Sequence, residues 1–189
     1  MKNLKVVIDP GHGGKDPGAV NIKAKEKTIN LAIAQKICNG LVDIGITPIM
    51  TRYSDKRTIG NTERCKIANV FDADIFVSIH CNSVGSGDPA GYEIIHCPVS
   101  FKGKLLAEKI HESFKNSIGI HARLNPVKTD AALNRGFKLT VLWSTKMPAI
   151  IIECGFISNE HDRKILKNEE AQQKIADQIV IGLVDFFNC

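Results

Sequence analysis

The stretch "AIIIE" (residues 149–153) places four apolar residues in a row and ends on a glutamate. A short, continuously apolar run of this kind is typical of a strand in the middle of a sheet that is covered on both faces. Other short strands are predicted at residues 4–9, 46–51, 74–80, 91–97 and 139–143. We therefore expect residues 149–153 to form the central strand of a sheet.

Helical patterns separate most of these strands. Apolar residues recur at four-residue spacing along one predicted helix, at Ile29, Ile33, Ile37 and Leu41. We expect Thr28 to cap this helix and Gly45 to close it. Further helices are predicted over 61–70, 101–118 and 169–187, and a long surface loop over 119–137. This alternation predicts a three-layer α/β fold, with a mostly parallel sheet and helices on both faces, in one domain spanning 1–189.

Composition excludes several classes of protein. The 189 residues carry a net charge of +5 without a basic block, and only 6% are aromatic, so nucleic-acid binding is not expected. No segment approaches the roughly 20 apolar residues of a membrane span, and residues 1–4 lack the pattern of a signal peptide. We expect synthesis in the cytoplasm.

The six cysteines form no C-x-x-C pair, which favours reduced structural thiols, with Cys189 exposed.

Three predicted strands end close to a group that can bind a metal or move a proton: His12, His80 and Glu153. The carboxyl ends of parallel strands share one crevice, so these residues can meet there. Imidazole nitrogen and carboxylate oxygen suit zinc, and a hydrolytic zinc site needs three ligands and a separate base.

The fourth group of such a site has three candidates. Glu26 is the best of them, because it directly precedes a predicted helix and its loop can fold back over the crevice. Asp9 and Asp16 are rivals by proximity to His12. We expect Asp9 instead to accept hydrogen bonds that stiffen the turn or orient an imidazole.

Several segments resemble the zinc-dependent N-acetylmuramoyl-L-alanine amidases of the amidase_3 branch. They are "VVIDPGHGGKDPGA" (6–19), "KEKTINLAIA" (25–34), "DIFVSIHCNS" (74–83) and "TKMPAIIIECGFISN" (145–159). The resemblance implies a six-stranded sheet flanked by helices and hydrolysis of the amide between the muramic acid lactyl group and L-alanine in bacterial peptidoglycan. It implies one zinc ion held by His12, Glu26 and His80, with Glu153 as the catalytic carboxylate. "LNRGFKLTVL" (133–142) implies that Arg135 contacts substrate.

Two features depart from the family pattern. Cys81 and Cys154 stand where the family has small or hydroxyl residues, and strand alternation predicts that both point away from the metal. Many extracellular members carry a signal peptide or wall-binding modules, and from the sequence we expect neither here. Phage endolysins of this family commonly lack the signal and act on the cell wall after release through a separate holin pore. A separate wall-binding module is a further partner to consider.

Two other functions stay open at this point. One is a different zinc amidohydrolase or a carboxypeptidase on a related scaffold, which would cut another bond of a muropeptide. The other is a wall-binding module without catalysis, against which the presence of all four site residues argues.

Overall fold

The structure, a computed structural model, describes residues 4–22, 24–115 and 117–189. In chain order its elements are β1 (Lys5–Pro10), β2 (Val20–Asn21), β3 (Ala24–Lys25), α1 (Glu26–Asp43), β4 (Thr47–Met50), α2 (Asn61–Val70), β5 (Ile75–Asn82), β6 (Tyr92–His96), α3 (Phe101–Phe114), β7 (Ala122–Thr129), the 3-10 turn η1 (Asp130–Leu133), α4 (Thr140–Trp143), β8 (Ala149–Phe156), α5 (Glu160–Leu166) and α6 (Glu169–Phe187). Across the described residues, no helix has both the length and the apolar character that a membrane crossing requires.

The main sheet has six strands in the order β4-β1-β5-β8-β6-β7. Strands β4, β1, β5 and β8 run parallel, β6 pairs antiparallel with β8, and β7 runs parallel to β6. All eight residues of β8 are buried, as its apolar run predicts. The predicted α/β fold with a mostly parallel six-stranded sheet is confirmed.

Successive residues of each strand face two different helical layers. On one face, α1, α3 and α6 pack over a core that includes Val6, Val77 and Ile152. On the other face, α2, the single turn of α4 and Leu133 of η1 cover a smaller core around Phe76 and Ile151. Because this second layer is thin, it leaves a cavity over the carboxyl ends of the central strands.

Two predicted elements between residues 119 and 143 are wrong. The predicted loop over 119–137 contains β7, an edge strand that pairs with β6 and shifts its register between Tyr92 and Ile94. Pro126 lies within β7, and an edge strand tolerates a proline because one side of it needs no ladder hydrogen bonds. The predicted strand Leu139–Trp143 is instead the helical turn α4, whose apolar side chains are buried in the smaller core.

The ends of two helices also differ from prediction. α1 begins at Glu26, and Thr28 does not cap it, since the Thr28 hydroxyl donates to Asp55. α3 ends at Phe114, before the predicted residue 118, and Asn116 lies outside the described residues. Residues 1–3, on which the predicted absence of a signal peptide depends, also lie outside them. The helix α5 and the small β2–β3 ladder were not predicted.

All six cysteines are unpaired. Cys189 is exposed, as predicted, and the other five are buried. Burial raises the pKa of the Cys38 thiol to about 12. These buried thiols therefore act as small core residues.

Helices α3 and α6 approach each other closely at Gly182. A Cβ added there would lie 2.9 Å from the Ile110 Cα, which the backbone cannot accept without a shift. We expect Gly182→Ala to lower the free energy of unfolding by about 1–2 kcal/mol, measured by urea denaturation. Gly40→Ala is the matched control, because its added Cβ would meet only the Val180 side chain, at 3.1 Å. Equal stability of the two variants would contradict the close packing.

Candidate active site

Strand alternation gathers polar side chains on the thinly covered face of the sheet. Along β5 and β8, His80 and Glu153 face this side, while their neighbours Cys81 and Cys154 lie in the larger core on the opposite face. The two cysteines therefore point away from the candidate ligands, as predicted.

One cavity of about 560 Å³ brings all five predicted site residues together. Those residues are His12, Glu26, His80, Arg135 and Glu153. The cavity is bounded by α2 and α4 and by the strand ends, which explains why residues far apart in sequence meet there. The crevice expected at the carboxyl edge of the sheet is thus present.

Three of these residues form a candidate metal centre. Glu26 Oε2 lies 3.1 Å from His12 Nε2, and Glu26 Oε1 lies 2.9 Å from His80 Nδ1. One ligand atom from each of the three residues lies within 4.8 Å of the others. Zinc bonds of about 2.0–2.2 Å in a tetrahedral site place ligand atoms roughly 3.3–3.6 Å apart, so this donor set and its spacing fit such an ion.

Glu26 is the first residue of α1, where the positive end of the helix dipole favours a carboxylate. Its Oε2 accepts a hydrogen bond from the Ala19 amide, and its Oε1 accepts one from the Cys81 amide. Burial raises the pKa of its carboxyl, but the hydrogen bonds with His12 and His80 more than offset this and hold that pKa well below its usual range. Glu26 is therefore an ionised, buried group that joins the first loop, α1 and β5.

His12 lies in the loop after β1 with φ of 60°, in the left-handed region that non-glycine residues rarely adopt. Its Nδ1 lies 2.8 Å from the Asp16 carboxylate, which favours the tautomer that leaves Nε2 free for a metal. Burial lowers the pKa of His12, but hydrogen bonds and charges of Glu26 and Asp16 raise it to about 9. Asp16, and not Asp9, is therefore the residue that orients this imidazole.

Asp9 performs the other role expected of it, that of stiffening the turn. Its carboxylate accepts hydrogen bonds from Thr51 and Ser78 and forms a buried ion pair with Arg64 at 2.5 Å. Arg64 also donates to the carbonyl oxygens of Pro10 and His12, at 2.9 and 2.7 Å. Arg64 therefore fixes the backbone that holds His12 in its strained conformation.

Arg52 supports the same loop from its other side. Its guanidinium is buried and donates to the carbonyl oxygens of Pro10, Gly11 and Lys27. Sequence reasoning missed both Arg52 and Arg64. The available signal was the position of Arg52 just past the end of β4, at the same sheet edge as the candidate ligands.

The loop also has to pass very close to β5. A Cβ added at Gly11 would lie 2.2 Å from the His80 ring, so only glycine fits between the two ligands.

Glu153 differs from the other acids of the cavity because its Oε2, a buried oxygen, has no hydrogen-bond partner among the described residues. The Glu153 residue as a whole is 8% exposed. Burial raises the pKa of its carboxyl to about 7, although the charges of His80 and Arg135 act in the opposite direction. A buried carboxyl with a free oxygen and a pKa near neutrality has the properties of a general base.

Arg135 lies in the exposed loop between η1 and α4 and lines the cavity. It is positioned by loop residues and not by a strand. Its guanidinium contributes a positive charge opposite the ligand cluster, close enough to lower the pKa of Glu153.

The role of Arg64 can be tested through stability. We expect Arg64→Met to lower the free energy of unfolding by about 3–5 kcal/mol, because it leaves the buried Asp9 carboxylate without a cation. Arg57→Met is the matched control, since Arg57 is exposed and pairs with Glu63 at the surface, where an ion pair contributes at most about 1 kcal/mol. Similar losses in the two variants, measured by urea denaturation, would contradict the buried pair.

The pKa of His12 predicts how zinc affinity depends on pH. A metal binds the neutral imidazole, and His12 holds a proton below about pH 9 in the metal-free protein. Each fall of one pH unit between pH 8 and 6 should therefore weaken apparent zinc binding about tenfold, measured by competition with a chromophoric chelator. An affinity that stays constant over this range would remove His12 from the ligand set.

Comparison with known proteins agrees with this geometry. The model of the N-acetylmuramoyl-L-alanine amidase family, Amidase_3, matches residues 6–185. The chain is 35% identical over 194 residues to the uncharacterized protein YqiI of Bacillus subtilis, covering 100% of this chain and 87% of YqiI. It is 33% identical over 184 residues to the amidase LytC of the same organism, covering 96% of this chain but only 35% of LytC.

The fold has close counterparts among solved structures. The catalytic domain of CwlV, an N-acetylmuramoyl-L-alanine amidase from Bacillus (Paenibacillus) polymyxa, superposes with a TM-score of 0.87 at 33% identity and covers 98% of both chains. An N-acetylmuramoyl-L-alanine amidase from Clostridium difficile gives a TM-score of 0.89 at 30% identity and covers 100% of this chain and 98% of that one. The match of the family model over almost the whole sequence shows that this chain belongs to the N-acetylmuramoyl-L-alanine amidase family.

Proposed function

We propose that residues 1–189 form one catalytic domain that hydrolyses the amide between the N-acetylmuramic acid lactyl group and L-alanine in bacterial peptidoglycan. The observation that carries this proposal is the unpartnered, buried carboxylate of Glu153 in the same cavity as the His12–Glu26–His80 cluster. Family membership supplies the bond that is cut.

His12, Glu26 and His80 would hold one zinc ion in this proposal. The nitrogen and carboxylate donors, their spacing and the Asp16 partner of His12 all suit that metal. When bound, zinc supplies Lewis-acid chemistry, polarising a carbonyl and lowering the pKa of water towards about 7.

Glu153 is the proposed general base and then the general acid. Glu153 lines the cavity that would hold the substrate, and its raised pKa lets it take a proton from the attacking water. It would then return that proton to the departing alanine nitrogen. Arg135 is placed to bind an oxygen of the substrate through its guanidinium.

The two alternative functions have weaker support. A wall-binding module has no need of a buried, unpaired carboxylate, which raises the free energy of the folded state. A carboxypeptidase on a related scaffold would use similar groups, and only the identity of the cleaved bond separates it from the amidase. Action on the cell wall after release through a separate pore, and the help of a separate wall-binding module, remain predictions.

Digestion of purified peptidoglycan tests the function directly. We expect new alanine amino groups without new reducing ends, and we expect a chelator to abolish their release and added zinc to restore it. New reducing ends would instead indicate a glycosidase, and release of C-terminal D-alanine would indicate a carboxypeptidase.

The role of Glu153 can be separated from metal binding. We expect Glu153→Gln to retain stoichiometric zinc while kcat falls about 10²–10⁴-fold, because the amide cannot accept the proton. His80→Ala should lose both zinc and activity, and Glu112→Gln, a change at an exposed position on α3, should alter neither. Zinc content by atomic absorption and product release report the two effects, and full activity of Glu153→Gln would contradict the assignment.

A further inference from the structure

A second cavity of about 630 Å³ borders the active-site cavity. It lies between η1 and α4, and its walls include Asp130, Phe137, Lys138 and Trp143; we name it the Trp143 cavity. Arg135 lines both cavities, so the two lie side by side at this residue. A part of the substrate beyond the scissile amide is therefore within reach of the second cavity.

The base of the Trp143 cavity is held rigidly. The Trp143 indole donates to the Asp130 carboxylate at 2.6 Å, and the Leu139 amide donates to the same oxygen at 3.3 Å. Asp130 is 5% exposed, and its second oxygen, Oδ1, is buried with no partner among the described residues. Burying an acid whose second oxygen has no hydrogen-bond partner raises the free energy of the folded protein. The hydrogen bond to Asp130 fixes the orientation of the Trp143 indole.

The accessible walls of the cavity combine aromatic and cationic groups. Phe137 is 66% exposed, so much of its ring is accessible to a ligand. The Lys138 ammonium lies 3.7 Å from the centroid of the Trp143 ring, and both Lys138 and Arg135 are exposed. Because the one acid is buried and the two cations are accessible, the opening is positively charged.

These features define the class of ligand. Aromatic faces suit methyl and methylene groups, and the two cations suit carboxylates. The part of a stem peptide that follows L-alanine combines short aliphatic side chains with free carboxylates. A neutral sugar offers no group for the two cations.

We propose that the Trp143 cavity binds the acidic distal part of the stem peptide, while the muramoyl–alanine amide lies at the metal centre. This inference rests on the proposed function and adds to it a specificity site for peptide length and charge. Lys138 and Phe137 are its principal contacts, and Arg135 connects it to the active site.

Direct binding tests the proposal without turnover. The probe is the free peptide L-alanyl-γ-D-glutamyl-L-lysyl-D-alanine, titrated by calorimetry into the Glu153→Gln protein with or without the further change Lys138→Gln. We expect Lys138→Gln to weaken binding about fivefold, because one charge-assisted contact is lost. Lys102→Gln, which removes an exposed lysine on α3, is the matched control and should leave the affinity unchanged.

The chemistry of the probe supplies the second arm. A peptide whose carboxylates are converted to amides should bind the starting protein more weakly and should no longer respond to Lys138→Gln. Phe137→Ser should weaken both forms of the peptide, because it removes the apolar wall.

Two results would overturn the proposal. One is an affinity for the peptide that neither Lys138→Gln nor Phe137→Ser changes. The other is a selective effect of these variants on binding of the neutral disaccharide di-N-acetylchitobiose, which would assign the cavity to the glycan. Failure of the wild-type protein to cut peptidoglycan would refute the proposed function, and the binding measurements would still report on the cavity separately.

Discussion

The burial of the Glu26 carboxylate is the constraint on which the rest of the site depends. This one side chain contacts both imidazoles and accepts amide hydrogens from Ala19 and Cys81, so it joins the first loop to β5 at the start of α1. Ionised and almost excluded from water, it is stable only while those donors stay in place. The geometry of the ligand cluster is therefore set by the need to satisfy a buried charge, before any metal is bound. His12, Glu26 and His80 are thus already gathered where they would hold a zinc ion.

The loop that carries His12 also depends on buried hydrogen bonds, because its backbone is strained at His12. Arg64 and Arg52 direct their guanidinium groups at the carbonyl oxygens of this loop, and Asp9 neutralises Arg64 from within the sheet. Buried arginines are expensive when unpaired, and here nearly every donor reaches a carbonyl or a carboxylate. The hydrogen bonds of this network offset the conformational strain of His12 in the left-handed region. They hold its backbone so that the imidazole lines the cavity.

The parts of the molecule that sequence could predict share one property, which is that local pattern and tertiary role agree. The first residues of β8 are apolar because the strand is covered on both sides, and His80 and Glu153 lie towards the carboxyl ends of β5 and β8, at the edge of the sheet that borders the cavity. Prediction failed where tertiary contacts override pattern. The proline at position 126 made residues 119–137 resemble a loop, although they contain the edge strand β7. The run 139–143 contains the helical turn α4, which is too short to show helical spacing. The buried arginines could not be recognised as structural, because nothing local distinguishes Arg64, buried against Asp9, from Arg57 at the surface.

The contrast between two neighbouring glutamates shows how the same side chain becomes structural or reactive. Glu93 and Glu153 lie opposite each other on β6 and β8, and both are buried. Glu93 is fully compensated, by Arg123, Lys128 and the Asn82 amide, and Arg123 is itself stacked on Phe156. Because these cations neutralise it, Glu93 anchors the strand ends. Glu153 has no such partners among the described residues, and its Oε2 accepts no hydrogen bond from them. The pKa of its carboxyl therefore depends on burial and on the charges in the cavity. The sheet supplies the same position and face to both residues, but only Glu93 is paired with cations, while burial without such a partner raises the pKa of Glu153.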